Sequence, residues 1–497
     1  MSTTTTDPVA DPTSRFRSRL SAAQPGRVVA TLFALHVALK LALLPIAMRT
    51  PLQGDEVTYD AGAKAMAAAV RSLLAGDGFP VASLEQHVIG NGWFMPGMST
   101  LVSPLYLVAP DAGVPAVRVY VGVLTLALFA AAVLTIYRTA PWQIAAALVV
   151  VPGLVPLWVL YSFTTWGDLS AGIVLIIVVA LLVRLWSRVC EGDSLRVGDA
   201  VRLGLLLGAT LYLRSSTLPL VVGLLVLSTI AVVCLSRGRL RMRGVVLCAV
   251  AAGVLAVTIL PWSYSASRTF DSRVTTTTTL PISMAYAFGD RDDLCLGPCP
   301  PGNIWYAMAA FSRETAERTG ESPLDVQARM SERALRGVTP SSYASDVLDN
   351  YGRYVFQPTG FEQTFRTTGK GVDPAAHEVQ DPGTISRLDV GATKLLYFGT
   401  LLLAVVGVLL VRRTPARVQV TAILASLITA ALMTQPFVHV ASPRYWPVFL
   451  PMLCLVAASL LVRRDTDASS PVLRRVQIAI AAAWVAVPVV LVGIAQL

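Results

Sequence analysis

Two adjacent carboxylates, Asp55 and Glu56, stand in the stretch Leu52-Gln53-Gly54-Asp55-Glu56-Val57-Thr58-Tyr59-Asp60. The stretch follows an apolar run from about 27 to 48, long enough to cross a bilayer at about 20 residues per span. A carboxylate held half-buried at a dry membrane edge can act as a general base toward an incoming hydroxyl. Neighbouring side chains on a helix point about 100° apart, so the pair is not expected to share one proton. The same two acids also fit the acidic start of an interfacial helix. A further acid, Asp168, follows Thr165-Trp166-Gly167 at the mouth of another apolar run. An acid there is costly unless it is paired or lines a wet cavity; it could also satisfy free N–H groups at a helix start. Lys40 and His36 share one face of the first apolar run, and a lysine in lipid implies a partner.

The elements that must position these groups are apolar helices. Of the 497 residues, 54% are hydrophobic and 14% charged, and the mean hydropathy is +0.63. That composition predicts an all-α integral membrane protein. The net charge of +10 comes mostly from Arg, with Lys only at 40, 64, 370 and 394. The Arg residues cluster in short loops between apolar runs. Membrane topology accounts for them there, so no nucleic-acid partner is expected. Residues 1–26, rich in Thr, Ser, Pro and Arg, read as a disordered cytoplasmic tail. The first apolar run is too long for a cleavable signal peptide and lacks a small-residue cleavage site. No Walker loop, dinucleotide fingerprint or His-rich metal motif is recognisable.

About eleven spans are predicted: 28–48, 114–137, 142–161, 168–186, 199–213, 217–235, 244–261, 394–411, 418–435, 446–462 and 476–496. Arg15, Arg17, Arg19 and Arg27 precede the first. Arg138 follows the second, and Arg184, Arg188, Arg196 and Arg202 lie between the fourth and fifth. Arg237, Arg239, Arg241 and Arg243 follow the sixth, and Arg412, Arg413 and Arg417 the eighth. Arg463, Arg464, Arg474 and Arg475 follow the tenth. All fall on one side of an eleven-span arrangement, which places the N-terminus inside and Asp55 outside. A membrane domain is expected over 27–261, with its first outer loop at 49–113. An extracytoplasmic subdomain follows over 262–393 and C-terminal membrane helices over 394–497.

In the first outer loop, Val57 to Leu74 has the spacing of an amphipathic interfacial helix. Trp93 and Phe94, in Asn91-Gly92-Trp93-Phe94-Met95-Pro96, suit the headgroup level. Leu101 to Val108 is apolar but too short to span. In the second outer segment, helices are predicted over 304–317, 324–336 and 341–356, the last capped by Ser341 or Ser342. The Thr275–Thr279 run could form one short strand. Pro358 to Pro382 reads as a mobile loop. Cys295 and Cys299, on the outer side with a Gly-Pro turn between them, suit a small disulfide loop. Cys190, Cys234, Cys248 and Cys454 lie in or near spans and are expected to be packed.

Several short motifs, in this order and on this side of the membrane, resemble the C-type glycosyltransferase superfamily. These are multi-span enzymes that use polyprenyl-phosphate sugars, and the pattern is most similar to the protein O-mannosyltransferases and lipid A aminoarabinose transferases. The motifs are Gly54-Asp55-Glu56 with Tyr59, then Thr165-Trp166-Gly167-Asp168. Leu260-Pro261-Trp262 with Arg268 comes next, and Ser442-Pro443-Arg444-Tyr445-Trp446-Pro447 last. The chain departs from the family at Pro443, where Glu or His is common; His439 lies four residues earlier. The lumenal sugar-binding domain that some relatives append is not recognisable.

The resemblance implies inverting transfer of a monosaccharide from polyprenyl phosphate to an acceptor hydroxyl. Asp55 takes the place of the base, Glu56 a role in orienting the acceptor or the loop, and Asp168 that of the second acid. The anionic leaving group calls for fixed positive charge and donors at headgroup level, with Arg444, Arg214 and Tyr445 as candidates. Arg268 and Arg273 fit charges snorkelling to headgroups better. Tyr59, Trp93 and His439 are expected to line the substrate channel. The superfamily leaves room for a divalent cation between Asp and phosphate. The Arg- and Ala-rich, Lys-poor usage of a high-GC genome favours a mannosyl or arabinosyl donor, with an envelope glycan, glycolipid or secreted protein as acceptor. Two other classes share the architecture: a transporter or flippase of lipid-linked intermediates, and a catalytically silent scaffold.

Overall fold

The computed structural model describes residues 12–356, 384–410, 414–440, 445–463 and 470–496. These residues form helices and turns, with no strand among them. The first outer loop carries α2 (Asp55–Ala75), α3 (Val81–Leu84) and α4 (Gly97–Val108), after α1 (Pro12–Arg49). Next come α5 (Val114–Thr139), α6 (Trp142–Val150), α7 (Pro156–Tyr161), α8 (Gly167–Glu191), α9 (Val197–Leu213), α10 (Leu218–Leu235) and α11 (Gly238–Thr269). The second outer segment folds as α12 (Leu280–Phe288), α13 (Ile304–Thr319), α14 (Pro323–Ala334) and α15 (Pro340–Phe356). The chain ends with α16 (Thr384–Leu409), α17 (Ala416–Leu432), α18 (Trp446–Ala458) and α19 (Pro471–Ala495).

Among the described residues, eight helices are long and apolar enough to cross a membrane. The described residues are thus all-helical, with the long apolar helices of a multi-pass membrane protein. The other three predicted segments are shorter or broken. Segment 142–161 divides into α6 and α7 around Pro152 and Pro156, because proline withholds the N–H that would continue the ladder. A carbonyl freed at this break, that of Gly153, lies 2.5 Å from His36 Nδ1. Helix α9 has 17 residues. Segment 446–462 is α18 followed by a single 3-10 turn. Lys40 donates to Thr125 Oγ1 at 3.1 Å and to Ser162 Oγ, and its ammonium lies over the Phe163 ring. It ties α1 to α5 and to the turn after α7.

The bundle is built around α8 and α18. Every residue of α18 is buried, and α18 packs on α6, α8, α16 and α17. Helix α18 is apolar on all faces, as a helix with no lipid or water side must be, and α8 is buried over most of its length. The two ends of the bundle differ chemically. One end gathers the Arg-rich loops: Arg138, Glu191 and Arg417 line a cavity of about 550 Å³, and Arg184 and Arg188 pair with Asp199 at 3.1 and 2.6 Å. The other end carries both outer segments.

Several local expectations change. Helix α1 begins at Pro12, so the stretch read as a disordered tail is helical from there to residue 26. Thr275–Thr279 is not a strand. It laces the two outer segments together instead: Thr278 N donates to Gly92 O at 2.9 Å and Thr278 Oγ1 to Asn91 O at 2.8 Å. Helix α15 is capped by Thr339 rather than by Ser341 or Ser342. Thr339 Oγ1 accepts from Ser342 N at 3.1 Å and Ser342 Oγ from Thr339 N at 3.0 Å, a reciprocal cap. Cys295 and Cys299 form a disulfide, and Cys295 is buried against Met308 and Val326. The loop read over Pro358 to Pro382 lies outside the described residues.

Candidate active site

The loop before α2 is held by one buried ion pair. Glu56 and Arg118 both have 0% exposure. Arg118 grips the carboxylate with Nη1 at 2.5 Å from Oε1 and Nη2 at 2.9 Å from Oε2. The remaining acceptor capacity of Glu56 is filled by backbone, from Thr165 N at 2.9 Å and Gln53 N at 3.1 Å. Arg118 also donates to the carbonyls of Pro51, at 2.8 Å, and Phe163, at 3.2 Å. One pair therefore joins the end of α1, the start of α2, helix α5 and the turn before α8. A bidentate, fully bonded pair is the arrangement that can offset the desolvation of two charges.

Glu56 is thus fully buried with both oxygens committed, and its bonds fix the loop that carries its neighbour Asp55. Asp55 is the first residue of α2, half-buried, and a side chain one position away on a helix points about 100° from Glu56. With Glu56 turned inward, Asp55 takes a different, half-buried side of the helix start. The signal for Arg118 was in the sequence: it is an arginine near the start of a span whose other end carries Arg138.

The second acid is also paired. Asp168, in the first turn of α8, forms an ion pair with Arg214 and accepts from Tyr161 Oη at 3.0 Å. Arg214 donates through Nη2 to Gln435 Oε1 at 2.7 Å, and its guanidinium lies 4.2 Å from the centre of the Tyr445 ring. Its Nε–H is buried with no hydrogen-bond partner among the described residues. Tyr354, beside this group, is pushed upward by burial, with the Arg214 charge opposing that shift, so it stays a neutral hydroxyl. Tyr354 Oη donates to Leu432 O at 3.2 Å.

From Tyr445 a line of rings runs back to α2. His439 meets Tyr445 at 6.3 Å and stacks on Trp305 at 5.6 Å with 17° between the planes. Trp305 meets Trp93 at 6.4 Å, Trp93 meets Phe94 at 6.5 Å, and Phe94 meets Tyr59 at 5.4 Å. Tyr59 is one helical turn beyond Asp55. The structure thus brings Tyr59, Trp93, His439, Tyr445, Arg214 and Asp168 into one continuous line of contacts. Trp305 was not singled out in the sequence, being one aromatic among several in an amphipathic helix. Arg268 and Arg273 are exposed and lie outside this line. Arg444 falls outside the described residues.

Among the described residues no group of three or more His, Cys, Asp or Glu side chains could hold a metal ion. Set against known proteins, the chain matches no family model, no curated protein and no solved structure.

Proposed function

We propose that this chain is a membrane glycosyltransferase of the C-type architecture, with about eleven membrane segments. It moves a monosaccharide, mannose or arabinose, from polyprenyl phosphate to an acceptor hydroxyl. The membrane is the cytoplasmic one, with the N-terminus inside and the site at the outer face. The acceptor is a glycan, glycolipid or secreted protein of the envelope.

The observation that supports this reading is the convergence of six candidate residues, from five separate stretches of chain, on one line of contacts ending a turn from Asp55. In the proposed reaction Asp55 takes the proton of the acceptor hydroxyl as its oxygen attacks the anomeric carbon. The bond from that carbon to the phosphate oxygen breaks on the opposite face. Polyprenyl phosphate leaves, and the configuration inverts. Arg214 is already compensated by Asp168, so it contributes its spare Nε–H and its alignment rather than a free charge. Arg444, carried over from the family resemblance, supplies the net positive charge that the leaving phosphate needs. Asp168 acts by holding Arg214 and is not a second base.

The test uses the purified chain in nanodiscs, radiolabelled polyprenyl-phosphate mannose or arabinose, and a membrane extract as acceptor. Transfer by the wild type, lost in Asp55→Asn with the fold retained, is the expected result. Equal transfer by wild type and Asp55→Asn would remove Asp55 as the base. Movement of the lipid-linked sugar across the membrane without transfer would replace the enzyme by a flippase.

A further inference from the structure

An apolar cavity of about 460 Å³ lies between α8, α9, α10, α11, α17 and α19. That volume is typical of sites for small molecules, about 300–1,000 Å³. Its walls come from residues such as Leu182, Trp186, Leu227, Leu247, Leu424 and Leu473. Ile230 and Val472 on its rim are 52% and 56% exposed, so the slot opens sideways to the bilayer. It is remote from the candidate active site. Leu182 lies 14 residues beyond Asp168 along α8, about 20 Å at 1.5 Å per residue.

One end of the slot is basic. Arg196 lines it there, next to Asp199, whose charge is already taken up by Arg184 and Arg188. A small adjoining cleft shares Val189, Leu195 and Gly244 with the slot and adds Arg243. Asp193 also lines that cleft. Arg196 and Arg243 are exposed, and among the described residues neither forms an ion pair. An apolar slot open to lipid, with two exposed arginines against the one carboxylate of Asp193 at its end, is the complement of an amphiphile with hydrocarbon chains and an anionic head. Basic pockets between helices on the cytoplasmic side bind such lipids, and the Arg-rich loops favour that side for this end.

We propose that this cavity binds an anionic phospholipid, its acyl chains in the slot and its phosphate against Arg196 and Arg243. The bound lipid fills the gap that α8, α10 and α19 leave open and bridges helices from both halves of the chain. The site is independent of glycosyl transfer.

The experiment is native mass spectrometry of the delipidated full-length chain, paired with thermal shifts. Phosphatidylglycerol, phosphatidylcholine and polyprenyl phosphate are added separately. Phosphatidylglycerol should bind tenfold or more tighter than phosphatidylcholine, since each surface arginine contributes roughly a factor of five toward an anionic lipid. Arg196→Gln with Arg243→Gln, both at exposed positions, should bring the two phospholipids to equal affinity. Ala231→Trp, which fills the slot, should weaken phosphatidylglycerol binding, and Ser228→Phe does the same should the tryptophan variant not fold. Asp55→Asn should bind phosphatidylglycerol as the wild type does. Equal binding of the two phospholipids by the wild type, or unchanged binding in the slot-filling variant, would overturn the proposal. Polyprenyl phosphate displacing phosphatidylglycerol at lower concentration would overturn it as well and assign the slot to a prenyl lipid.

Discussion

Gly167 and Leu213 touch backbone to backbone: a Cβ on Gly167 would overlap the Leu213 carbonyl oxygen. Gly97, at the start of α4, approaches the Tyr212 carbonyl in the same way. Two helix starts therefore dock on the last turn of α9, immediately before Arg214. This approach is what sets Asp168, the next residue after Gly167, beside Arg214. Gly167→Ala forces α8 and α9 apart and is expected to cost about 1–3 kcal/mol, the usual range for overpacking. Gly223→Ala, with nothing within 4 Å of its Cβ, is the control and should be neutral or slightly stabilising. Thermal unfolding in detergent compares the two. Equal midpoints for both variants would show that the contact does not matter.

Arg118 and Arg268 make opposite predictions although both are arginines near the end of an apolar helix. Arg118→Met leaves Glu56 charged, buried and without its counter-ion, and is expected to cost about 3–5 kcal/mol. Glu56→Leu added to Arg118→Met removes the stranded charge and should recover much of that loss. Arg268 is exposed, so Arg268→Gln should stay within about 0.5 kcal/mol. The readout is the unfolding midpoint together with the yield of monodisperse protein. A double variant no better than Arg118→Met would argue against the buried pair.

Asp168 and Arg214 are each less than a tenth exposed and paired with each other. Asp168→Asn and Arg214→Gln should therefore be non-additive. A double-mutant cycle on stability should give a coupling of about 1–3 kcal/mol. In the transfer assay, Arg214→Gln and Asp168→Asn should lower the rate to a similar extent, because Asp168 works through Arg214. A much larger loss with Asp168→Asn would restore it as a second reacting acid.

Eight of the spans and the three helices predicted in the second loop segment were legible because each rests on local signals: apolar length, and Ser or Pro at helix starts. The partners inside the site were not. Glu56 and Asp55 are neighbours of the same charge type, and only the fold decides that Glu56 turns inward to an arginine 62 positions away. Asp168 and Arg214 were both singled out, yet their pairing depends on the close approach of Gly167 to Leu213. Pro152 and Pro156 break the predicted span 142–161, and the chain rejoins across them through His36 and packing on α18.

Asp346, in the outer helix α15, gives a pH signature. Burial, with Asp349 adding to it, pushes its carboxyl above the ordinary value of 3.8. The folded state therefore holds that proton more tightly than the unfolded chain does. The stability this contributes is complete below the ordinary value and is lost as pH rises through the raised folded value. Above that window the ionised carboxylate costs stability. Asp346→Asn should unfold at the same temperature as the wild type at the acid end and at a higher one near neutral pH. A difference that shrinks with rising pH would reverse the assignment.

Trp93 joins the two halves of the line of rings, meeting Phe94, Trp305 and Tyr306, the last at 5.4 Å. Each such ring pair contributes about 0.5–1.5 kcal/mol beyond its buried area. Its neighbours on the other side are fixed by other means: Asn91 and Gly90 accept from Arg313, and Thr278 binds the Gly92 and Asn91 carbonyls. Trp93→Ala should therefore leave the outer segments docked while loosening the path between Tyr59 and His439. Transfer should fall by about tenfold, or about 1.4 kcal/mol, with a smaller change in unfolding temperature than Arg118→Met produces. Trp93→Phe keeps a ring in the line and should retain most of the activity. If Trp93→Ala transfers sugar at the wild-type rate, the rings are packing alone, and the channel must run elsewhere from Asp55.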